Sequence, residues 1–173
     1  MLSDKQKTTV EGLMQTAHAL MAEVGEVRAV YFLVVGDNVA AVPPLTAGLE
    51  IGEETSKRWM AEALAFACKL TGADLAVMID EVWLAEVKPP PEVKSAADMK
   101  KWHQEGYSGP RPSEHPNRKE GLMAITMSPG GEVSMLSSEI HRDADGKPHL
   151  TEAKWSEYDR METRMLKPWA TDA

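Results

Sequence analysis

The sequence predicts a single α+β domain spanning residues 1–173: a mostly antiparallel sheet of about five or six strands, two main helices and a long inserted loop. Three observations carry this reading. Two segments repeat apolar residues at three- and four-residue steps, the helical period. Several shorter segments are rich in β-branched residues or alternate, and tight turns joining neighbours demand antiparallel pairing. A chain of 173 residues is long enough for one core and short for two domains.

The elements follow in order. Ser3 or Asp4 can cap a first helix, in which Val10, Leu13, Met14, Ala17, Leu20, Met21 and Val24 form one apolar stripe. Gly25 stands where a left-handed C-terminal residue belongs. His18 lies just off the stripe, at a boundary position. Residues 27–35 carry no polar face and read as a strand covered on both sides. Gly36-Asp37-Asn38 turns the chain into a short strand at 39–42, which Pro43-Pro44 stops. Glu53 and Glu54 open a second helix with an expected inner stripe of Trp59, Met60, Ala63, Leu64, Ala67 and Leu70, with Phe66 beside it. Gly72 ends it, and Cys68 reads as a small packing residue.

Residues 73–87 form the strand around which the rest is organised. Its first half, Leu75 to Ile79, is apolar throughout and should lie inside the sheet, paired on both sides. Strand alternation places Asp80 with Met78 and Val82, and Glu81 with Ile79 and Trp83. Both faces turn polar there, as at a cleft or a sheet end. Residues 121–127 and 133–141 form a hairpin around Pro129-Gly130-Gly131. A second turn at 143–148 leads to a last strand at about 149–155.

The net charge of −8 argues against a general nucleic-acid coat and against an anionic membrane surface. The single cysteine excludes an intrachain disulfide and a Cys-based zinc site. The N-terminal stretch has no uninterrupted apolar core of the signal-peptide kind, and no run approaches the ~20 apolar residues that span a bilayer. A cytoplasmic protein without membrane contact is expected.

Residues 88–119 depart from this acidic background, with seven Lys or Arg against four Asp or Glu. Pro89-Pro90-Pro91 is stiff and extended, and Ser95-Ala96-Ala97-Asp98 has capping-box spacing for a short helix over about 96–104. The prolines from 110 to 116 exclude regular structure. An irregular excursion of this length in a small domain is functional or disordered. Its basic residues are interleaved with Trp102, His103 and Tyr107. That composition suits a protein contact, where Trp, Tyr and Arg are enriched, or a nucleic-acid backbone. The acidic remainder favours a protein partner or a second copy of the chain. Trp102, Tyr107, Arg111, His115 and Arg118, with Glu81 and Trp83 at the strand end, are the candidate binding residues.

Glu81-Val82-Trp83, followed by Pro112-Ser113-Glu114-His115-Pro116-Asn117-Arg118-Lys119-Glu120, resembles a loose group of bacterial and phage-encoded proteins. These carry a Glu-x-Trp strand end and a later Pro-Ser-x-x-Pro-x-Arg-x-Glu stretch. His115 departs from the acidic residue that pattern carries. The resemblance implies no catalytic role, but it implies that the strand end and the return of the excursion form one structural feature. An ion pair of Arg118 with Glu81 or Glu120 is the expected link. The order of elements is similar to that of roadblock- and profilin-like domains, which by itself implies no function.

Catalytic readings find less. A metal-dependent nuclease needs an Asp and an acidic-x-Lys element around one ion. Asp80 with Glu86-Val87-Lys88 has the residue types, but six strand residues separate the carboxylates by roughly 20 Å. Asp145 with Glu152-Ala153-Lys154 spans a turn and could close up. His141, Asp143 and His149 could approach one another across that turn, yet they match no ligand motif. His141-Arg142-Asp143 spells the start of a kinase catalytic loop without its glycine-rich loop or Asp-Phe-Gly. No cofactor motif and no nucleophile elbow occur. The reading is therefore a cofactor-free binding or assembly protein acting through protein contact, with a metal-dependent nuclease or nucleic-acid-binding protein as the alternative.

Overall fold

A computed structural model describes residues 2–43, 53–84, 91, 92, 94, 95, 97, 98, 114 and 116–158. Its elements are α1 (Asp4–Val24), β1 (Val30–Val35), β2 (Asn38–Val42), α2 (Glu53–Thr71), β3 (Leu75–Leu84), β4 (Lys119–Met127), β5 (Val133–Arg142), β6 (Pro148–Leu150) and β7 (Lys154–Tyr158). The strands form one seven-stranded sheet in the order β2-β1-β3-β4-β5-β6, with β7 also on β5. Every pairing is antiparallel. This is the α+β fold the sequence predicts.

β3 lies inside the sheet between β1 and β4, as its apolar first half requires. Leu75 to Ile79 are all buried. Alternation sends their side chains to two cores on opposite faces of the sheet. Leu75, Val77 and Ile79 join Leu122, Ala124, Leu136 and Ile140 under Val10, Met14, Ala17 and Met21 of α1. Ala76 and Met78 join Tyr31, Leu33, Met123, Ile125 and Val133 under Met60, Leu64 and Cys68 of α2. Burial pushes the Cys68 thiol up to about 11, so it behaves as a packing residue.

Local signals place the element ends. Ser3 and Gln6 form a full capping box on α1, and Gly25 closes the helix at φ 87°, where a side chain would be strained. The β4–β5 turn has Gly131 at φ 80° with its N–H on the Ser128 carbonyl at 2.9 Å. The β5–β6 turn is built on Asp143, whose Oδ1 accepts from the N–H groups of Asp145 and Lys147. The predicted box at 95–98 forms too: Asp98 N–H donates to Ser95 Oγ at 3.0 Å and Ser95 N–H to Asp98 Oδ2 at 3.0 Å. The remainder of the short helix expected at 96–104 lies outside the described residues.

The structure differs from the sequence reading in four places, the first being that β1 starts at Val30 and leaves Arg28 exposed before it. The last strand is two short ones, β6 and β7, interrupted at residues 151–153. Thr151 at the break turns its N–H to the Glu139 carbonyl and accepts the Glu139 N–H on Oγ1, replacing ladder bonds. On α1, Leu20 and Val24 are exposed, because the buried stripe is the narrower set Val10, Met14, Ala17 and Met21. On α2 the inner face is Met60, Leu64, Ala67 and Cys68, while Trp59, Phe66 and Leu70 face solvent. Both faces of α2 are apolar at helical spacing, and only docking on the sheet decides which turns inward.

Candidate functional site

The polar end of β3 meets the start of β4 and the end of β5. β3 and β4 pair Trp83 with Glu120 and Glu81 with Leu122, while β4 and β5 pair Glu120 with Ile140. This register brings Glu81, Glu120 and Arg142 together beneath the C-terminal end of α1. Arg142 holds Glu120 with Nε at 2.9 Å from both carboxylate oxygens and with a second, closer contact from Nη2. Its Nη2 lies 3.6 Å from Glu81 Oε1. Nη1 donates to the carbonyls of Gly25, at 3.2 Å, and Gly146, at 3.4 Å. A cation on the last carbonyl of α1 also suits the negative end of that helix. One guanidinium thus ties the end of α1, β4 and the β5–β6 turn together.

The two carboxyl groups titrate in opposite directions. Desolvation pushes Glu81 up, and the neighbouring Glu120 carboxylate adds to the effect, so of the two Glu81 is the one that takes up a proton first as pH falls. The Arg142 guanidinium holds Glu120 below the usual carboxylate range. The Val27 backbone N–H works the other way on Glu81, lowering it. The cluster is a clamp with its donors and acceptors matched, and its first role is structural.

Above this floor opens a cleft of about 630 Å³ lined by Val27, Arg28, Ala29, Asp80, Glu81, Val82, Trp83 and Glu120. Trp83 stands at its rim, 45% exposed. The Arg118 guanidinium carbon lies 5.0 Å from the Trp83 ring centroid, a cation–π arrangement. Arg142 is the cation that contacts Glu81 and Glu120, the carboxylates expected to pair with Arg118, and Arg118 covers Trp83. The strand end and the return of the excursion do meet, as the resemblance implied, with Trp83 and Arg118 as the contact. Trp102, Tyr107, Arg111 and His115 lie outside the described residues.

A second hollow, of about 480 Å³, lies between α1 and the β5–β6 region and includes Glu11, His18, Leu136 and Glu152. His18 Nε2 is 2.8 Å from Ser138 Oγ, and burial lowers the His18 pKa. Ser138 is itself buried, so this pair is a satisfied core contact and not a nucleophile with its base. At the far turn, His149 pairs with Asp143 at 3.0 Å, while His141 turns to Glu139 at 3.6 Å. Among the described residues, no three His, Cys, Asp or Glu side chains gather as a metal site. Glu86 and Lys88 of the first nuclease arrangement lie outside the described residues. Among the described residues, no helix is long and apolar enough to cross a membrane.

These features define an α+β protein whose antiparallel sheet carries a helix on each face and a charged, tryptophan-rimmed cleft at one end. Residues 2–165 match the family described as Bacteriophage lambda protein ea47, and the chain belongs to that family. Kinship with phage-encoded proteins, read from the sequence, is thereby shown. No curated protein matches the chain, and no solved structure does.

Proposed function

We propose that this chain works by binding another protein, through a contact centred on Trp83 and Arg118 at the rim of the β3-end cleft. The observation that carries the reading is the half-exposed Trp83 with the Arg118 guanidinium over its ring. Trp and Arg are the side chains that most often dominate protein interfaces. Here both are presented on a rigid strand end held by the Arg142 clamp. Asp80, Glu81 and Glu120 line the cleft with Arg28, a mixed lining whose carboxylates suit a basic group of a partner protein better than a phosphate backbone. Trp102, Tyr107, Arg111 and His115 are assigned to the same contact, because the chain carries that basic, aromatic segment directly into Arg118.

The test is site-specific photo-crosslinking in cells that produce the chain. A photoreactive residue replaces Arg28, which lines the cleft with an 88% exposed side chain. A control replaces Val39 on the exposed edge strand β2. A discrete protein adduct is expected from position 28 and not from position 39. Unlabelled wild-type chain should compete it away, and a Trp83→Ala/Arg118→Ala chain should not. Equal competition by the double variant, or an adduct to nucleic acid in place of protein, would refute the reading.

A further inference from the structure

The outer face of α2 carries a second surface, on the side of the sheet away from Glu81 and Trp83. Trp59, Phe66 and Leu70 are 41%, 68% and 74% exposed. At about 100° per residue they fall within roughly 40° of one another around the helix axis. They form one ridge opposite the buried Met60, Leu64 and Cys68. Large side chains scattered singly on a surface need no explanation, but three aligned on one helix do. Glu62 and Lys69, both exposed, lie together along one flank of this ridge.

We propose that this ridge is a two-fold contact between two copies of the chain, with their α2 helices packed antiparallel. The charge pattern selects the partner and its direction. A two-fold axis passing near Phe66 places residue 62 of one helix level with residue 69 of the other, and the reverse. Glu62 then faces Lys69 of the second copy, twice, on the same side of the pair. A parallel two-fold pairing would instead carry the Glu62–Lys69 flanks of the two copies to opposite sides of the pair, where neither charge meets a partner. Isologous contact demands this self-complementarity, in which residue i meets j and j meets i. The apolar residues obey the same operation. Phe66 lies near the axis against its own copy. Trp59 comes level with the end of the other helix, about two residues, or roughly 3 Å, from Leu70 of that copy. Small Ala63 on the other flank lets the helices approach.

One helix face covers less than the 1,200–2,000 Å² or so of a stable interface, so the association is weak, with a Kd on the order of 10–100 μM. Sedimentation velocity over a concentration series reads it directly, as a shift from the 19.0 kDa monomer towards twice that mass. Phe66→Glu puts two like charges at the axis and should leave a monomer at every concentration, with an unchanged far-UV spectrum because Phe66 is exposed. Glu62→Lys and Lys69→Glu, each alone, should weaken the dimer about tenfold by turning attraction into repulsion at two places. The double swap Glu62→Lys/Lys69→Glu should return the Kd to within about threefold of the wild type. A wild-type chain that stays monomeric throughout overturns the proposal, and the ridge then belongs to a lipid surface or to a different protein. A dimer that survives Phe66→Glu, or a double swap as weak as the single ones, overturns it equally. None of these outcomes touches the Trp83 contact, which the crosslink from Arg28 tests separately.

Discussion

Replacing Arg142 with Met should loosen the molecule more than replacing any other exposed or half-exposed charge. The side chain is one-third exposed, and Glu120 beneath it is 15% exposed. Removing the guanidinium leaves Glu120 next to Glu81 with no cation, and strips the Gly25 carbonyl of a donor. Breaking a fully buried pair by deleting one partner costs about 3–5 kcal/mol. Solvent reaches a third of Arg142, so the expected loss is about 2–3 kcal/mol. For a domain of this size each kcal/mol moves the Tm by about 2–4 °C, so the melting point should fall by roughly 5–10 °C. Urea titration followed by tryptophan fluorescence gives the free energy, and calorimetry gives the Tm. Arg118→Ala is the matched control. It removes an exposed cation–π contact worth about 0.5–1 kcal/mol and should cost less than the Arg142 variant. Adding Glu120→Gln to Arg142→Met should recover part of the loss, because the orphaned carboxylate is then gone. An Arg118 variant less stable than the Arg142 variant, or an Arg142 variant within about 0.5 kcal/mol of wild type, would refute the clamp.

Two further predictions follow from the same strand end. Glu81 holds its proton more tightly folded than unfolded, so folding loses stability as pH rises from the ordinary carboxylate range through its raised folded value. Glu81→Gln copies the protonated form and should match the wild type in acid, then become the more stable chain towards neutral pH; parallel urea titrations across that range check the sign. Gly121→Ala would set a Cβ 2.6 Å from Leu84 Cδ1 and 3.2 Å from the Ser138 carbonyl, so a loss of about 1–3 kcal/mol is expected in chemical denaturation.

How much was legible in the sequence depends on the range of the interaction concerned. The capping box at Ser3 and Gln6, the left-handed Gly25 and the turn at Gly131 are local, and neighbouring residues specify them completely. Leu75 to Ile79 could be placed inside the sheet because five consecutive apolar residues have nowhere else to go. The element order and the antiparallel sheet follow from these. Glu81 and Trp83 were recognisable as a strand end turning polar, and the part of Arg118 was foreseen only as an ion pair.

Arg142 was not legible as the centre of the clamp. It is 22 positions from Glu120, and its importance arises only when β4 and β5 pair in register and α1 ends above them. Three letters of an unrelated motif drew attention to it for the wrong reason. The inner stripe of α2 was placed partly wrongly for a different reason. Trp59, Phe66 and Leu70 repeat as well as Met60, Leu64 and Cys68 do, so periodicity names two stripes and ranks neither. The sheet surface ranks them: Ala76 leaves room, Tyr31, Met78 and Met123 fill around it, and the smaller, more flexible set fits there. The sequence by itself thus determined the elements, their ends and the central strand, because backbone propensity and hydrophobic period act over a few residues. Only the tertiary structure decided which charges meet and which apolar stripe is left to solvent, because both depend on strand register and on the shape of the surface a helix must fit.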